Sequence, residues 1–442
     1  MSLFGTLNTG ASGLGVSSTS MSVIGDNIAN INTTGFKGTR ASFADLVPNG
    51  IGGLNGQNQL GGGAGLASTM TLFGQGSVSS SDSALDMAIS GKGFFQVADG
   101  ANNYYTRDGA FYMDSDGYVT TASGLKLQGY NAFDGDLTSR ISDLRIDTAP
   151  TDPSATEAVT LDLNLPVHTE DDDGNYGSVL SSATLDGATE TWDDLEGTDY
   201  LHSTSTTIYD DYGVAHDVVI YFEQTSESEW DYKVVTAASE LDPTADPDGD
   251  GYVTELMEGT LTFDGSELDS IDQTWTSTDP WANGSTSTFD LELGIDSSGE
   301  DTDGEITMTG SSFSATNVSQ DGYASGQVSS VNIDDDGQII ASYSNGEEEV
   351  LGQVALATFA AESYLSRAGN NLFKSTPDSG EGVMGAAGVG GRGAVSGYAL
   401  EGSNVELEDQ FVSMIQSQRS YQANARVVST ANDTLQELVN LV

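Results

Sequence analysis

Three aspartates at alternate positions in the stretch DPDGDGYVTELME (246–258) have the spacing of a calcium-binding loop. Asp246, Asp248 and Asp250 match positions 1, 3 and 5 of such a loop, and a glycine stands at position 6. Position 12 carries Met257 where the loop needs a bidentate glutamate. Because Ca²⁺ requires six or more oxygen ligands, we expect an acidic turn here, with calcium binding as the alternative.

The side chains that commonly perform catalysis form no recognisable site in this sequence. The histidines His168, His202 and His216 lack metal-ligand spacing, and the absence of cysteine excludes disulfides and thiolate metal sites. The stretch GVGGRG (388–393) matches a dinucleotide-binding pattern, but no buried strand precedes it and no helix opens on it. Carboxylate pairs are too frequent to single out a glycosidase pair. We therefore expect no enzyme activity and no cofactor, apart from the calcium considered above.

Negative charge is concentrated in the middle of the chain. The 442 residues carry a formal net charge of −54, and residues 151–350 contain 46 acidic residues and one base, Lys233. Such a surface repels nucleic acid and anionic membranes, and no apolar run approaches membrane-spanning length. We expect neither nucleic-acid binding nor membrane insertion. Regular aromatic residues in this block, such as Tyr221 and Trp230, favour folded strands over disorder.

The first segment of the chain has the apolar spacing of a coiled-coil helix. Steps of four and three residues follow Leu3, Leu7, Gly10, Leu14, Ser17, Met21, Ile24, Ile28 and Ile31, of which seven are apolar. The glycines in this segment each cost about 1 kcal/mol relative to alanine in a helix. We therefore expect a stable helix here only when it packs against a partner.

The last segment has the same spacing over a longer distance. Its positions are Leu407, Phe411, Met414, Gln418, Tyr421, Ala425, Val428, Asn432, Leu435, Val439 and Val442, of which nine are apolar. Glu406, Glu408 and Asp409 favour a helix start at this point through the helix dipole. We interpret the two ends as coiled-coil helices that pair, and we expect them to be poorly ordered in the monomer and to become ordered only when many copies associate. An ordinary surface helix packed on a globular core is the alternative.

Sequence typical of β-structure fills the region between the two helices. Asp-Gly pairs at 108–109 and 116–117 separate alternating strands, and Asp336-Gly337 and Asn345-Gly346 join three strands within 327–359. The predicted fold is α+β and multidomain, with mainly-β outer domains nested between the ends. Residues 1–34 and 400–442 form a terminal α-helical coiled-coil domain, 35–72 a Gly-rich linker, 73–150 and 318–399 a β-rich domain, and 151–317 an acidic β-rich outer domain.

Two stretches near the chain ends carry a specific resemblance. They are NIANINTTGFKGTR (27–40) and LEGSNVELEDQFVSMIQSQRSYQANARVVST (400–430). Both resemble the terminal signatures of bacterial flagellar axial proteins, the family of rod and hook subunits. The stretches 73–97, 105–118 and 320–359 are similar to the same family, whereas the acidic middle is only loosely similar. The large central insertion favours the hook members, because rod subunits are markedly shorter.

The resemblance implies a structural subunit that polymerises helically into a curved tube. The terminal helices would surround the export channel and the β domains would lie outside them, so that the tube bends as a universal joint while it transmits torque from rod to filament. Expected partners are further copies of the chain, the flagellar rod, the hook cap, the hook-filament junction proteins and the type III export apparatus. The chain would be extracellular, in the hook and basal body, and exported without a cleaved signal peptide.

The resemblance also implies which residues take part in assembly. Asn30, Gly35 and Phe36 would turn the chain out of the inner layer, and Lys37 and Arg40 beside them either support the turn or balance charge. The other assembly residues are the seam positions Leu3, Leu7, Leu14, Met21, Ile24, Ile28, Ile31, Leu407, Phe411, Met414, Gln418, Tyr421, Ala425, Val428, Leu435 and Val439. The alternative functions are a distal rod or hook-filament junction protein and, more remotely, an acidic extracellular enzyme or a calcium-binding adhesin.

Overall fold

The chain divides into two compact units in a computed structural model. The structure describes residues 3–46, 61–100, 102–133, 135–167, 176, 186–191, 201–241, 251–275, 281–295 and 302–440. Unit 1 comprises Met1–Thr148, Val328–Ser342 and Glu348–Val442, and unit 2 comprises Ala149–Gln327 and Tyr343–Glu347. Unit 2 is thus inserted into the chain of unit 1, and the predicted acidic domain (151–317) falls within it.

Two long helices lie at the ends of the chain. The α-helices of the described residues are α1 (Leu3–Ala29), α2 (Ala238–Leu241) and α3 (Leu407–Asn440), and Glu362–Tyr364 forms a 3₁₀ turn. With 34 residues, α3 is about 51 Å long, and Glu408 and Asp409 in its first turn complement the helix dipole. No helix in the described ranges is both long and apolar enough to cross a membrane.

The strands follow in chain order between the two long helices. They are β1 (Thr39–Asp45), β2 (Ala64–Thr71), β3 (Val78–Ser80), β4 (Met87–Ser90), β5 (Phe94–Asp99), β6 (Asn102–Thr106), β7 (Phe111–Met113), β8 (Val119–Thr121), β9 (Lys126–Phe133), β10 (Asp136–Asp143), β11 (Ala158–Leu165), β12 (Asp186–Thr191), β13 (Leu201–Tyr209), β14 (Ala215–Gln224), β15 (Glu229–Ala237), β16 (Tyr252–Asp264), β17 (Glu267–Trp275), β18 (Asp290–Glu292), β19 (Glu305–Met308), β20 (Ser314–Gln320), β21 (Val328–Ile333), β22 (Gln338–Tyr343), β23 (Glu348–Thr358), β24 (Ser366–Gly369), β25 (Leu372–Lys374), β26 (Val383–Ala386), β27 (Ala394–Gly397) and β28 (Ala399–Glu401).

The main sheet of unit 1 combines strands from before and after the insertion. Its order is β21-β22-β23-β9-β5-β6-β25-β24, with β7, β8, β10 and β26 attached beside this path. Strand β23 runs antiparallel to both β9 and β5, so the two halves of the chain share one sheet. Phe94, Tyr105, Phe359 and Phe373 form part of its core. The Phe94 and Phe359 rings meet edge to face, with their centroids 5.9 Å apart.

Unit 2 is built on a sheet with its own core. Among the described residues the order is β13-β14-β15-β16-β17-β19-β11-β18, with β12 beside β16 and β20 beside β11. Val159, Leu161, Leu163 and Leu165 are buried at every second position of β11, because alternate side chains of a strand point to the same face. The core also contains Trp230. The strands predicted from the aromatic spacing of the acidic block are therefore confirmed.

The segment predicted to be a Gly-rich linker, 35–72, contains an ordered pair of strands. Strands β1 and β2 pair antiparallel, with Phe43 opposite Leu66, and residues 47–60 between them lie outside the described residues. The linker prediction is wrong for these two strands. Helix α1 contacts both strands: the Ala64 N–H of β2 donates to the Ser12 hydroxyl over 3.3 Å, and the Asn27 amide of α1 bonds to Thr39 of β1. Composition does not reveal such contacts.

Candidate assembly interface

Helices α1 and α3 pack against each other in antiparallel orientation. Gly10 faces Val428, Gly13 faces Asn424, Ser20 contacts Ser417 and Asn27 contacts Gln410. The two serine hydroxyls are 2.9 Å apart, and the Asn27 amide donates to Gln410 Oε1 over 3.1 Å. Small and polar side chains therefore form the centre of this contact, which allows the two backbones to approach closely.

The predicted seam of α1 coincides in part with this contact. Gly10, Ser17 and Ile24 are buried at a spacing of seven residues, as the heptad pattern predicts. Half-buried positions are Leu7, Leu14, Met21, Ile28, Asn30 and Ile31, and the side chain of Leu3 lies outside the described residues. The second line of contact runs through Gly13, Ser20 and Asn27, one residue before the predicted Leu14, Met21 and Ile28. The apolar pattern did not identify this line because its members are small or polar.

The predicted seam of α3 is divided between covered and exposed positions. Met414, Ala425, Val428 and Leu435 are half-buried, whereas Leu407, Phe411, Gln418 and Tyr421 are exposed, and the side chain of Val439 lies outside the described residues. Neighbouring Val412 and Ile415 are also exposed, by 55% and 49%. Helix α3 thus carries an apolar surface that α1 does not cover.

Replacing Gly10 by alanine should destabilise the helix pair, although alanine is the better helix former. A Cβ at this position would lie 2.8 Å from Val428 Cγ2, so the two helices must shift to accommodate it. We expect this shift to lower the free energy of unfolding by about 1–2 kcal/mol. Gly15→Ala is the matched control, because nothing lies within 4 Å of its added Cβ. It should raise the free energy of unfolding by up to about 1 kcal/mol. Urea denaturation followed by circular dichroism measures both; equal gains at the two positions would contradict the close contact.

The chain leaves α1 through a buried turn at residues 30–38. Gly35 has φ +65°, and its N–H donates to the Glu401 carbonyl over 2.7 Å. Phe36 is buried, and the Arg367 guanidinium lies over its ring, 5.1 Å from the centroid. Asn371 donates its side-chain amide to the Thr34 carbonyl over 2.9 Å. The turn is therefore tied to the β unit through strand β28 and the β24–β25 hairpin.

A buried ion cluster lies beside this turn. Lys37 Nζ is 2.6 Å from Glu401 Oε1, Arg107 Nη1 is 3.2 Å from Glu401 Oε2, and all three side chains are almost fully buried. Glu401 also accepts the Gly76 N–H over 2.8 Å, and Lys37 also donates to the Gly74 carbonyl over 2.8 Å. Burial lowers the pKa of Lys37, while the contact with Glu401 opposes that change. Burial likewise lowers the pKa of Arg107. Glu401 is thus the carboxylate shared by two buried cations.

Two asparagines complete the connection between the helices and the strands. Asn27 at the end of α1 accepts the Thr39 N–H and donates to the Thr39 carbonyl, each over 2.8 Å. Asn404 before α3 accepts the Gly38 N–H over 2.8 Å and donates to the Leu72 carbonyl over 2.7 Å. Sequence reasoning assigned no role to Asn27, Glu401 or Arg107. All three fall within stretches that resemble the axial family, 27–40, 400–430 and 105–118, which was the signal available.

The glycine-rich stretch 388–393 is a turn wrapped around its own arginine. Arg392 donates from Nε to the Leu356 carbonyl over 3.2 Å, from Nη1 to the Val389 carbonyl over 3.0 Å and from Nη2 to the Met384 carbonyl over 2.9 Å. Gly388, Gly390 and Gly391 take positive φ values. This geometry accounts for the glycines without a nucleotide.

The candidate metal residues give no assembled site in the described part of the chain. Asp246, Asp248 and Asp250 lie outside the described residues, as does His168. Within the described ranges, no group of three or more histidine or acidic side chains could hold a metal ion.

His216 is buried in unit 2 between two carboxylates rather than at a metal. Its Nδ1 is 2.7 Å from Glu240 Oε2 and its Nε2 is 3.2 Å from Asp210 Oδ2, and its ring stacks on Trp281. Burial opposes ionisation of Asp210, but hydrogen bonds from Asn283, His216 and two backbone N–H groups outweigh it and lower the pKa of Asp210. The cluster joins three segments of unit 2, and its geometry is that of a structural hydrogen-bond network.

Four family models match separate parts of this chain. Residues 7–37 match the flagella basal body rod protein, 88–164 the flagellar hook protein FlgE/F/G D1 domain, 179–323 the flagellar basal body protein FlaE D2 domain, and 396–441 the flagellar basal body rod FlgEFG protein C-terminal region. The terminal matches cover the helix pair and its buried turn. The central matches cover parts of the β units.

Curated relatives match over the full length. The chain is 33% identical to the flagellar hook protein FlgE of Borreliella burgdorferi, with 99% of each chain covered. It is 31% identical to that of Escherichia coli, with 97% of this chain and 98% of the other covered. The crystal structure of Helicobacter pylori FlgE2 aligns with a TM-score of 0.48 at 16% identity, over 72% of this chain and 99% of that one.

A helix pair made from both terminal segments and joined by a buried turn to the β-strands of unit 1, together with the four family-model matches, defines a rod- or hook-type protein of the bacterial flagellum. Within this class, the chain belongs to the flagellar hook protein FlgE family. This is a family of structural proteins and not a family of enzymes.

Proposed function

We propose that this chain is the hook subunit that polymerises helically into a tubular universal joint. The tube transmits torque from the rod to the filament and encloses the export channel. The observation that carries the proposal is the apolar surface of α3, formed by Phe411, Val412, Ile415 and Tyr421, which are 40–55% exposed on a helix already paired with α1. An exposed apolar patch on a soluble protein indicates an interaction site.

The helix pair supports polymerisation because α1 covers only one face of α3. Small side chains such as Gly10 and Ser20 hold α1 close on one side, and the larger apolar side chains point elsewhere. In the polymer, helices of neighbouring copies cover this second face, and the resulting bundle has the coiled-coil packing that the heptad spacing predicts. The seam residues, with Asn30, Gly35 and Phe36, act in assembly by forming or orienting these faces.

Membership of the hook protein family supports the partners and the location that we propose. The polymer is continuous with the flagellar rod, grows beneath a hook cap and ends at the hook-filament junction proteins. The subunit reaches this extracellular position through the type III export apparatus. The function needs no cofactor and no catalytic residue, and calcium binding by Asp246, Asp248 and Asp250 stays a prediction.

Electron microscopy of the concentrated full-length protein tests the proposal, and we expect the protein to form tubes. Phe411→Ser/Ile415→Ser should abolish the tubes while the circular dichroism of the monomer is retained, because the contact surface is lost without loss of internal packing. Val383→Ser/Val389→Ser is the matched control, since those residues are 63% and 62% exposed in unit 1 but lie off α3. Failure of the unmodified chain to form tubes, or tubes in the α3 variant, would overturn the proposal.

A further inference from the structure

The side of α3 that faces away from α1 carries a regular pattern of charges. Glu408, Arg419, Arg426 and Glu437 are all exposed. Eleven residues make about three turns of an α-helix, so Glu408 and Arg419 share a face, as do Arg426 and Glu437. These four positions lie roughly opposite Gln410, Ser417 and Val428, which face α1. The outer side therefore carries Glu408, Arg419, Arg426 and Glu437 at spacings of eleven, seven and eleven residues, and exposed Asp433, seven residues after Arg426, adds an acid on the same side.

The two arginines of this stripe are not used inside the molecule. Neither Arg419 nor Arg426 forms an ion pair or hydrogen bond with any of the described residues. Some bases in unit 1 do have such partners: Lys37 and Arg107 contact Glu401, and Lys126 contacts Asp143. In a chain with 67 acidic and 13 basic residues, two unpaired arginines two helical turns apart beside exposed apolar side chains indicate a surface for an acidic partner.

We propose that this charged stripe binds the same stripe of a second copy, with the two α3 helices parallel and displaced by eleven residues. The displacement is about 16.5 Å along the helix. It places Arg419 beside Glu408 of the neighbouring copy. It also places Glu437 beside Arg426 of that copy, so both pairs form at once. The inference rests on the proposed function, because a polar helical polymer makes neighbouring copies parallel.

A displacement of eighteen residues also pairs both arginines with acids, Arg426 with Glu408 and Glu437 with Arg419, but it shortens the overlap of the two 34-residue helices by a further seven residues. The remaining displacements fit the charges less well. With no displacement each arginine faces its own counterpart, and a displacement of seven residues places Arg426 beside Arg419, which repel. An antiparallel pair can join Glu408 to Arg419 twice, but it places Arg426 beyond the start of the partner helix. An antiparallel pair can likewise join Arg426 to Glu437 twice, but it then places Arg419 beyond the end of the partner helix. Only the parallel arrangement forms both kinds of pair at once.

Charge exchange in the full-length protein tests the pairing, with tube formation at low salt measured by sedimentation and microscopy. Arg419→Glu and Arg426→Glu should each raise the protein concentration needed for tubes about tenfold or more, because attraction becomes repulsion. The exchanges Glu408→Arg/Arg419→Glu and Arg426→Glu/Glu437→Arg should each restore the original concentration. Gln416→Glu is the matched control for Arg419→Gln, since each substitution lowers the net charge by one unit and only Arg419 lies on the stripe.

The outcomes separate this inference from the proposed function. If the unmodified chain forms no tubes, the proposed function fails. If it forms tubes and the arginine variants do so at the same concentration, the charged stripe is not an interface and only the inference fails. Restoration by the 408/419 exchange without restoration by the 426/437 exchange would overturn the parallel, eleven-residue arrangement. Unchanged circular dichroism of each variant monomer confirms that folding is retained.

Discussion

Glu401→Gln should lower the free energy of unfolding of unit 1 by about 3–5 kcal/mol. Glu401 is the carboxylate that contacts both Lys37 and Arg107, and all three side chains are almost fully buried. The neutral amide would leave two buried cations without a counter-charge, and a buried unpaired charge is far more costly than a lost exposed pair. Guanidinium denaturation of the full-length chain, with the transition of unit 1 followed by near-ultraviolet circular dichroism, measures the loss.

Two further variants make this expectation specific. Lys37→Met should cost less than Glu401→Gln, because Glu401 keeps its contact with Arg107 when Lys37 is removed. Lys126→Met removes a cation from the partly exposed pair with Asp143, and we expect it to cost no more than about 1 kcal/mol. If Glu401→Gln costs no more than Lys126→Met, the cluster does not hold the chain ends to the β unit as the geometry indicates.

Gly35→Ala should lower the free energy of unfolding by about 2–5 kcal/mol, the second large effect. Gly35 has φ +65°, which strains any residue with a Cβ. An added Cβ would also lie 2.6 Å from the carbonyl carbon of Arg107, and backbone cannot rotate away as a side chain can. Because this turn sets the direction in which the chain leaves α1, we also expect reduced tube formation.

Gly124→Ala separates the two causes of this effect. Gly124 also has a positive φ, +80°, but nothing lies within 4 Å of its added Cβ. It should therefore show only the conformational cost, roughly 1–2 kcal/mol. Chemical denaturation of both variants under the same conditions gives the difference, which measures the close approach of the turn to Arg107 and Asp108. Equal losses in the free energy of unfolding of the two variants would show that this close approach does not affect stability.

Local features of this protein could be predicted from sequence because their causes are local. The turns at Asp116-Gly117, Asp336-Gly337 and Asn345-Gly346 are confirmed, since each glycine has a positive φ, which glycine adopts without strain. The three strands predicted within 327–359 are found as β21, β22 and β23. Gly109 differs: its φ is not positive, and an added Cβ would lie 2.7 Å from the Met87 carbonyl carbon. Gly109 is required because the backbone of Met87 lies close to it, and an Asp-Gly pair in the sequence does not reveal such a contact.

The sequence by itself determined the two terminal helices, the β-strands between them and the family signatures at both ends, because periodicity, turn residues and motifs act over a few neighbouring positions. Only the tertiary structure decided which helix face meets α1 and which charges are buried. Lys37 and Glu401 are 364 residues apart in the chain, and no local pattern pairs them. The heptad spacing showed apolar positions on α3 but not which of them the chain covers itself. That division depends on the small side chains of α1, whose close packing leaves Phe411 and Ile415 exposed.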